Sequence, residues 1–281
     1  MTIATGKRFV AYNGTTATAI VGSGTVSSSI IDDRKLCPLD GYLVTSDDAN
    51  VTIGSGPPTF TIDGTDYYAY ASGATVTLSG TPTAPDGYMF NAYTVKGSPI
   101  DGTSFTMPAE DVSVSASFAA DPDDFAVNAA GTEYTIYTAT GWNVFCDLLD
   151  GNAKGYFDGA TVKLGADIGT AENPVTRMAG SIDHEFTGTF DGDGHTLTFG
   201  YSGRDGGVAP FCYVDGCTIE NLHVAGSIVT SSKRAAGIVA RVVGEVTIRN
   251  CRSSVIIQST KPREDHHGGL VSKIENYATL N

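Results

Sequence analysis

The chain has 281 residues, 34 of them glycine, with 41 % hydrophobic and only 17 % charged residues. That mix supports real cores and many short strands, and excludes global disorder. The formal charge of −14, from 31 acidic and 17 basic residues, would repel a nucleic-acid backbone or an anionic membrane surface. The sequence holds no apolar run of about eighteen residues that could span a bilayer. Residues 1–6 have no charged segment leading into an apolar one, so either the chain is cytosolic or its secretion signal has been removed. Five cysteines (Cys37, Cys146, Cys212, Cys217, Cys251) are odd in number and irregularly spaced, and fit neither a metal pattern nor a disulfide framework.

Residues 1–48 form an N-terminal β segment and linker, with edge strands expected near Phe9 and Tyr42. Residues 49–120 read as one compact β module. Thr75, Val76, Thr77 and Leu78 alternate, Asp86-Gly87 marks a turn, and Val112, Val114, Ala116 and Phe118 share an inward face. The run from Phe105 to Phe118, with Thr106-Met107-Pro108-Ala109-Glu110-Asp111-Val112 at its centre, resembles the internalin-type B-repeat of bacterial surface proteins. It departs at Tyr93, where many members carry Trp. The resemblance implies a β-grasp-like spacer module on a secreted protein.

Residues 121–129, opening with Asp121-Pro122-Asp123-Asp124, are a linker. One helix follows. Trp142, Phe145, Cys146 and Leu149 make a single apolar stripe, with Thr138 or Thr140 as the starting cap and Gly151 as the end. Its expected task is to cover the first coil of a solenoid, because residues 130–281 repeat. Residues 237–249 align without a gap to 269–281, an offset of 32. Ile219, Asn221, Leu222 and Ile228 fall on Ile248, Asn250, Cys251 and Ile257, an offset of 29. Cys251 therefore reads as a small core residue. The two asparagines should stack at one bend, since Asn tolerates the left-handed conformation. The run Phe186–Phe199, the Trp142 segment and the Gly-Ile-Val and Gly-Leu-Val coil starts resemble the right-handed parallel β-helix of GLUG-repeat-like surface proteins of gut bacteria. That resemblance implies an adhesin-like role and no known chemistry. The fold expected is thus all-β: a small β-grasp-like module followed by a helix-capped right-handed parallel β-helix. The copy ending at Asn281 stops in mid-coil, so a truncated C-terminus is expected.

Three groups of residues are candidate sites, and a fourth, outward-facing set of charges reads as a modest surface pair. Glu264, Asp265, His266 and His267 sit in an insertion between coils that reads as a solvated loop, and it is the first candidate if one side of the helix binds a ligand. Thr218, Thr247 and Thr279 align in successive coils as an outward file, with Thr196 in the coil before. Such a file suits recognition of ice or sugars, or serves β-propensity alone. Asp191 and Asp193, in a glycine-rich turn, are a weak calcium candidate set against plain turn chemistry. Glu220 and Arg249 share an outward file, and His223 stacks on Arg252. No catalytic residues and no cofactor are assigned. The expected role is a secreted, cell-surface, adhesin-like protein binding host glycans or extracellular proteins. A structural stalk and a carbohydrate-active enzyme (polysaccharide lyase or glycoside hydrolase) are the alternatives.

Overall fold

The structure is a computed structural model that describes residues 2–25, 35–80, 82–260, 266–275 and 278–281. Among the described residues the protein is all-β, with one helix and a β-solenoid of about five turns. It divides into two compact units, Met1–Ala119 and Ala120–Asn281.

In the first unit, a six-stranded sheet runs in the order Ser98–Pro99, Tyr88–Val95, Val112–Ala120, Tyr42–Ser46, Thr65–Tyr70, Phe60–Ile62. The contact of Val112–Ala120 with Tyr42–Ser46 is parallel. A second, antiparallel sheet holds Ser104–Thr106, Thr75–Ser79 and Thr52–Ile53. Alternating residues of both sheets meet in one core: Val44, Tyr93, Val112 and Val114 from the first, Ile53, Val76 and Leu78 from the second. Tyr93 fills its place as a buried aromatic and donates its hydroxyl to the Gly80 carbonyl at 3.0 Å. Gly80 itself must be glycine, because its φ is +112° and a Cβ would lie 2.0 Å from the Asn50 carbonyl oxygen.

The strand expected at the edge near Tyr42 is an interior one. Leu43 and Val44 are both buried, on opposite faces, against two separate clusters. Residues 42–46 are therefore part of the sheet and not a linker. Asp111 explains part of the Met-Pro-Ala-Glu-Asp motif. Met107 is buried in the core, while Asp111 grips the Arg8 guanidinium with both oxygens, at 2.7 and 2.8 Å, and accepts the Leu43 N–H at 2.9 Å. Desolvation pushes the Asp111 carboxyl up, but the Arg8 and Leu43 bonds outweigh it and hold the group below its usual range.

The second unit opens with an antiparallel pair, Phe125–Val127 with Glu133–Ile136, and every later pairing is parallel. The coils stack their strands in three main faces, with a further short pairing of Arg234–Ala236 and His266–Gly268. The first face stacks Glu133–Ile136, Thr161–Leu164, Thr189–Asp191, Thr218–Glu220, Glu245–Arg249 and Thr279–Leu280. The second stacks Thr196–Gly203 on His223–Thr230, which pairs with Arg252–Ser253 and Ile256–Ser259. The third stacks Phe211–Asp215, Val239–Val243 and Val271–Ile274. Alternate residues of each strand point inward, so Val162, Phe190 and Ile219 line one column of the core.

The helix spans Ala139–Gly151. Thr138 is its N-cap and accepts the Gly141 N–H at 3.0 Å. The other end differs from expectation: Gly151 stays helical, and the extended Asn152 is the C-cap, its side-chain amide donating to the Leu148 carbonyl at 2.7 Å. The apolar stripe is fully committed to the core. Trp142 meets Phe190 and Phe211, and Phe145 meets Phe157 and Phe186, with ring centroids 5.3–6.1 Å apart. The indole N–H is satisfied by the Arg177 carbonyl at 2.9 Å. The helix thus plugs the broad aromatic interior of the first coils.

Asn221 and Asn250 stack as the repeat requires. Both are left-handed, with φ of 52° and 51°. The Asn250 amide donates to the Asn221 side-chain oxygen at 2.7 Å, and Asn221 donates to Asp191 at 2.9 Å. Thr279 corrects the gapless alignment of 237–249 with 269–281. The offset of 32 holds at Val239↔Val271 and Val242↔Ile274, but Glu245 pairs with Thr279 and Val246 with Leu280, an offset of 34. The corner after Ile274 is two residues longer than the corner after Val242. Cys251 is half-buried, whereas Leu222 at the same place one coil earlier is fully buried.

Two measurements check this account. Trp142→Ala empties the plug, and denaturant melts should show a loss of about 3–5 kcal/mol. Asn221→Ala should cost about 2–4 kcal/mol, from left-handed strain plus lost amide bonds. Asn221→Gly should cost less, because it relieves the strain and loses only the bonds; equal losses in both would disprove the conformational part.

Candidate functional site

The first face of the solenoid carries two outward files, one on each side of the inward column. One is Glu133, Thr161, Thr189, Thr218 and Thr247, each directly paired to the next. The other is Thr135, Lys163, Asp191, Glu220 and Arg249. Thr218 and Thr247 are neighbours as expected. Thr279 is not on this file, because it pairs with Glu245, and neither is Thr196, which pairs with His223 on the second face. The two threonines that sequence reasoning missed, Thr161 and Thr189, had a signal. Thr-Val-Lys, Thr-Phe-Asp, Thr-Ile-Glu and Thr-Ile-Arg begin at Thr161, Thr189, Thr218 and Thr247. The charges beside this file are largely spent on each other. Lys163 reaches Glu133 at 2.7 Å, and Arg249 pairs with Glu220.

Asp191 and Asp193 close their own turn. Asp191 accepts the Asp193 N–H at 2.8 Å and the Asn221 amide, and Asp193 is left-handed at φ 48°. Among the described residues no three His, Cys, Asp or Glu side chains gather as a metal cluster. Glu264 and Asp265 lie outside the described residues. His266 and His267 are in a short strand, His266–Gly268, parallel to Arg234–Ala236.

The second face holds a polar chain that crosses rungs. Asp167 accepts the Thr196 N–H at 2.8 Å and sits 3.3 Å from His195 Nδ1. Thr196 Oγ1 is 3.2 Å from His223 Nδ1, Arg252 approaches the same nitrogen at 3.4 Å, and Ser254 Oγ is 2.9 Å from His223 Nε2. A histidine beside a serine invites comparison with nucleophilic catalysis. The guanidinium argues against it. Arg252 can only donate, so its approach favours the tautomer with Nδ1 accepting and Nε2 protonated, in which the imidazole has no lone pair for the Ser254 proton. Desolvation and the Arg252 charge both push the His223 pKa down. The buried cysteines offer no nucleophile either: desolvation pushes the Cys146 and Cys217 thiols up to about 12 and Cys212 up to about 11.

The third face borders a cleft of about 410 Å³, lined among others by Asp150, Arg177, Ile182, Asp205 and Tyr213. Arg177 projects from a loop tied to the helix, with its guanidinium on Asp147 and on Asp150 at 3.2 Å. Asp205 accepts the Tyr201 hydroxyl at 2.5 Å, which together with desolvation pushes that phenol well up. Arg241 lies over the Tyr213 ring at 4.9 Å from its centre and donates to its hydroxyl at 2.5 Å. Ile182 is 66 % exposed at the rim. Carboxylates, a guanidinium, a phenol and an apolar edge are thus presented together in one concave surface.

A pH prediction follows from His223. Its pKa is lower in the folded state than in the unfolded chain, so the unfolded chain takes up a proton first as pH falls. Stability should be full above the ordinary histidine range and fall as pH drops through it towards the folded value. His223→Gln should flatten that part of the stability profile in chemical denaturation; an unchanged slope would show that His223 is not its source.

No helix among the described residues is long and apolar enough to cross a membrane. No curated protein and no solved structure matches the chain. Residues 50–122 match the family described as Divergent InlB B-repeat domain, whose members occur in cell-surface proteins, and to that family this part of the chain is similar.

Proposed function

We propose that the chain belongs to a secreted bacterial surface protein, adhesin-like in role, whose solenoid binds host glycans. The B-repeat match supports the setting, and the coil pattern with its GLUG-like motifs supports the role. The observation that carries the reading is the cleft of the third face. A sugar offers hydroxyls that bond to carboxylate and guanidinium, and C–H faces that pack on rings and aliphatic edges. Asp150, Arg177, Asp205, Tyr213 and Ile182 supply those partners around one open cleft. The threonine file of the first face is a second candidate surface.

An enzyme on this cleft would need a carboxylate free to give or take a proton. Asp150 is held by Arg177 and Asp205 by the Tyr201 hydroxyl. Binding is therefore the better fit than hydrolysis or elimination.

A glycan array probed with the chain tests the proposal. Binding should be seen, and should fall at least about tenfold in Tyr213→Ala and in Asp205→Asn, the loss of one good anchor. It should persist when Thr218 and Thr247 are both changed to Ala. An array without ligands would favour the stalk, and release of reducing ends or unsaturated sugars would favour the enzyme.

A further inference from the structure

One wall of the cleft holds a residue that the fold alone does not explain. Gly180, Gly206 and Gly207 all line the cavity. Gly180 is left-handed, at φ +83°, and a Cβ there would lie 2.3 Å from the Tyr213 carbonyl oxygen. A Cβ on Gly207 would press on the Ala240 methyl at 3.1 Å. Gly206 has neither reason to be glycine. Its φ is outside the left-handed region, and a Cβ there would meet nothing within 4 Å. Bare backbone beside a cleft lets a ligand approach closely. The segment is also held in place. The Asp205 N–H donates to the buried Ser232 hydroxyl at 2.8 Å, and the Cys212 thiol donates to the Gly207 carbonyl at 3.4 Å. Arg234 Nη1 donates to the Gly206 carbonyl, also at 3.4 Å.

The second observation is where the uncommitted arginines lie. The chain has 31 acidic residues against 17 basic ones, so acids to pair with are plentiful. Arg8, Arg177, Arg241 and Arg249 each hold a carboxylate. Among the described residues Arg204, Arg234 and Arg252 hold none. Arg252 reaches His223 on the second face. The other two flank Gly206: Arg234 by its bond to the Gly206 carbonyl, and Arg204 two residues before it in the chain. They also change the local charge. Arg177 sits between Asp147 and Asp150, and Asp205 adds a further negative charge. Arg204 and Arg234 bring that group back to neutral, on a chain of formal charge −14. An anion that most of the surface repels can approach there.

Resting on the glycan reading above, we infer that the ligand of the cleft is an acidic glycan whose carboxylate sits at Gly206, on the Arg234 guanidinium, with Arg204 as a second cation. A guanidinium has five N–H donors in a planar fork, and Arg234 spends one of them on a long bond to Gly206. The fork that remains matches a planar carboxylate. Asp150, Asp205 and Tyr213 are left for the hydroxyls and the C–H face of the sugar ring. The acids of the cleft thus read the sugar, and the two arginines read its charge.

Titration calorimetry of the whole chain tests the inference with three probes: a uronic-acid oligosaccharide, its carboxyl-reduced neutral counterpart, and a sulfated neutral oligosaccharide. The uronate should bind at least about tenfold tighter than the neutral sugar, as a charge-assisted hydrogen bond provides. That advantage should shrink as salt is raised. Arg234→Gln should bring the uronate down to the affinity of the neutral sugar and leave the neutral sugar unchanged. Arg204→Gln, at an exposed position, should remove part of the advantage, and it guards against a folding defect in Arg234→Gln. Gly206→Val should weaken both ligands without lowering the melting temperature, since its added carbons enter open space. If the neutral sugar binds as tightly as the uronate, or if the preference survives both arginine changes, the inference falls while the glycan reading stands. If the sulfated sugar alone binds, the carboxylate assignment falls. If none of the three binds, both fall.

Discussion

The second unit depends on how its first coils are filled. A parallel coil with three faces encloses an interior that small aliphatic residues fill in the later rungs, where Ile219, Val224, Val239 and Val246 are buried. In the first coils the interior is taken by Phe157, Phe186, Phe190 and Phe211, with Trp142 and Phe145 driven in from the helix. Those rings bring large buried area and tilted or edge-on contacts in place of a further rung. The rest follows from that plug. The indole anchors the Arg177 segment by its carbonyl, Arg177 then places its guanidinium at the cleft, and the turn leaving the helix carries Lys154 over Glu185. The cleft and this ion-paired turn are both downstream of one packing arrangement.

Much of the fold was legible because the sequence obeys two periods at once. The alternation of Val76 and Leu78, or of Val112 and Val114, marks one face of a strand, and the offset of 29 between Ile219 and Ile248 marks a coil. The helix was readable from a stripe of large residues, Trp142, Phe145, Cys146 and Leu149, whereas the same spacing at Val239, Val242, Val243 and Val246 is β-branched and falls in strands. Asn221 and Asn250 announced a bend because few other side chains tolerate its backbone. Tyr42–Ser46 was misjudged for a physical reason. A strand buried on both faces shows no alternation, and its partners, Val112–Ala120 and Thr65–Tyr70, lie far along the chain.

The site was less legible than the fold. The cleft draws Asp150 from the helix, Arg177 from a loop, and Asp205 and Tyr213 from successive parts of the next coil. No local spacing joins them; only the winding does. The threonine file could have been traced further back, since Thr-x-charged triplets recur at Thr161 and Thr189. It was missed there because Thr196 offered a similar alternation in a strand that belongs to another face.

The longer corner between Ile274 and Thr279 bears on how such a coil stack can change over generations. Two added residues moved Thr279 away from Thr247 and onto Glu245, yet Leu280 still stands over the inward Val246. Side chains on a strand alternate with a period of two, so an even-numbered insertion slides the outer decoration along the rung and leaves the oily side facing in. A single inserted residue would turn Leu280 to water and Thr279 to the core. Corners of this solenoid therefore act as a parity filter. Lineages can shuffle what the surface displays in steps of two, while odd steps are removed by the cost of inverting a strand.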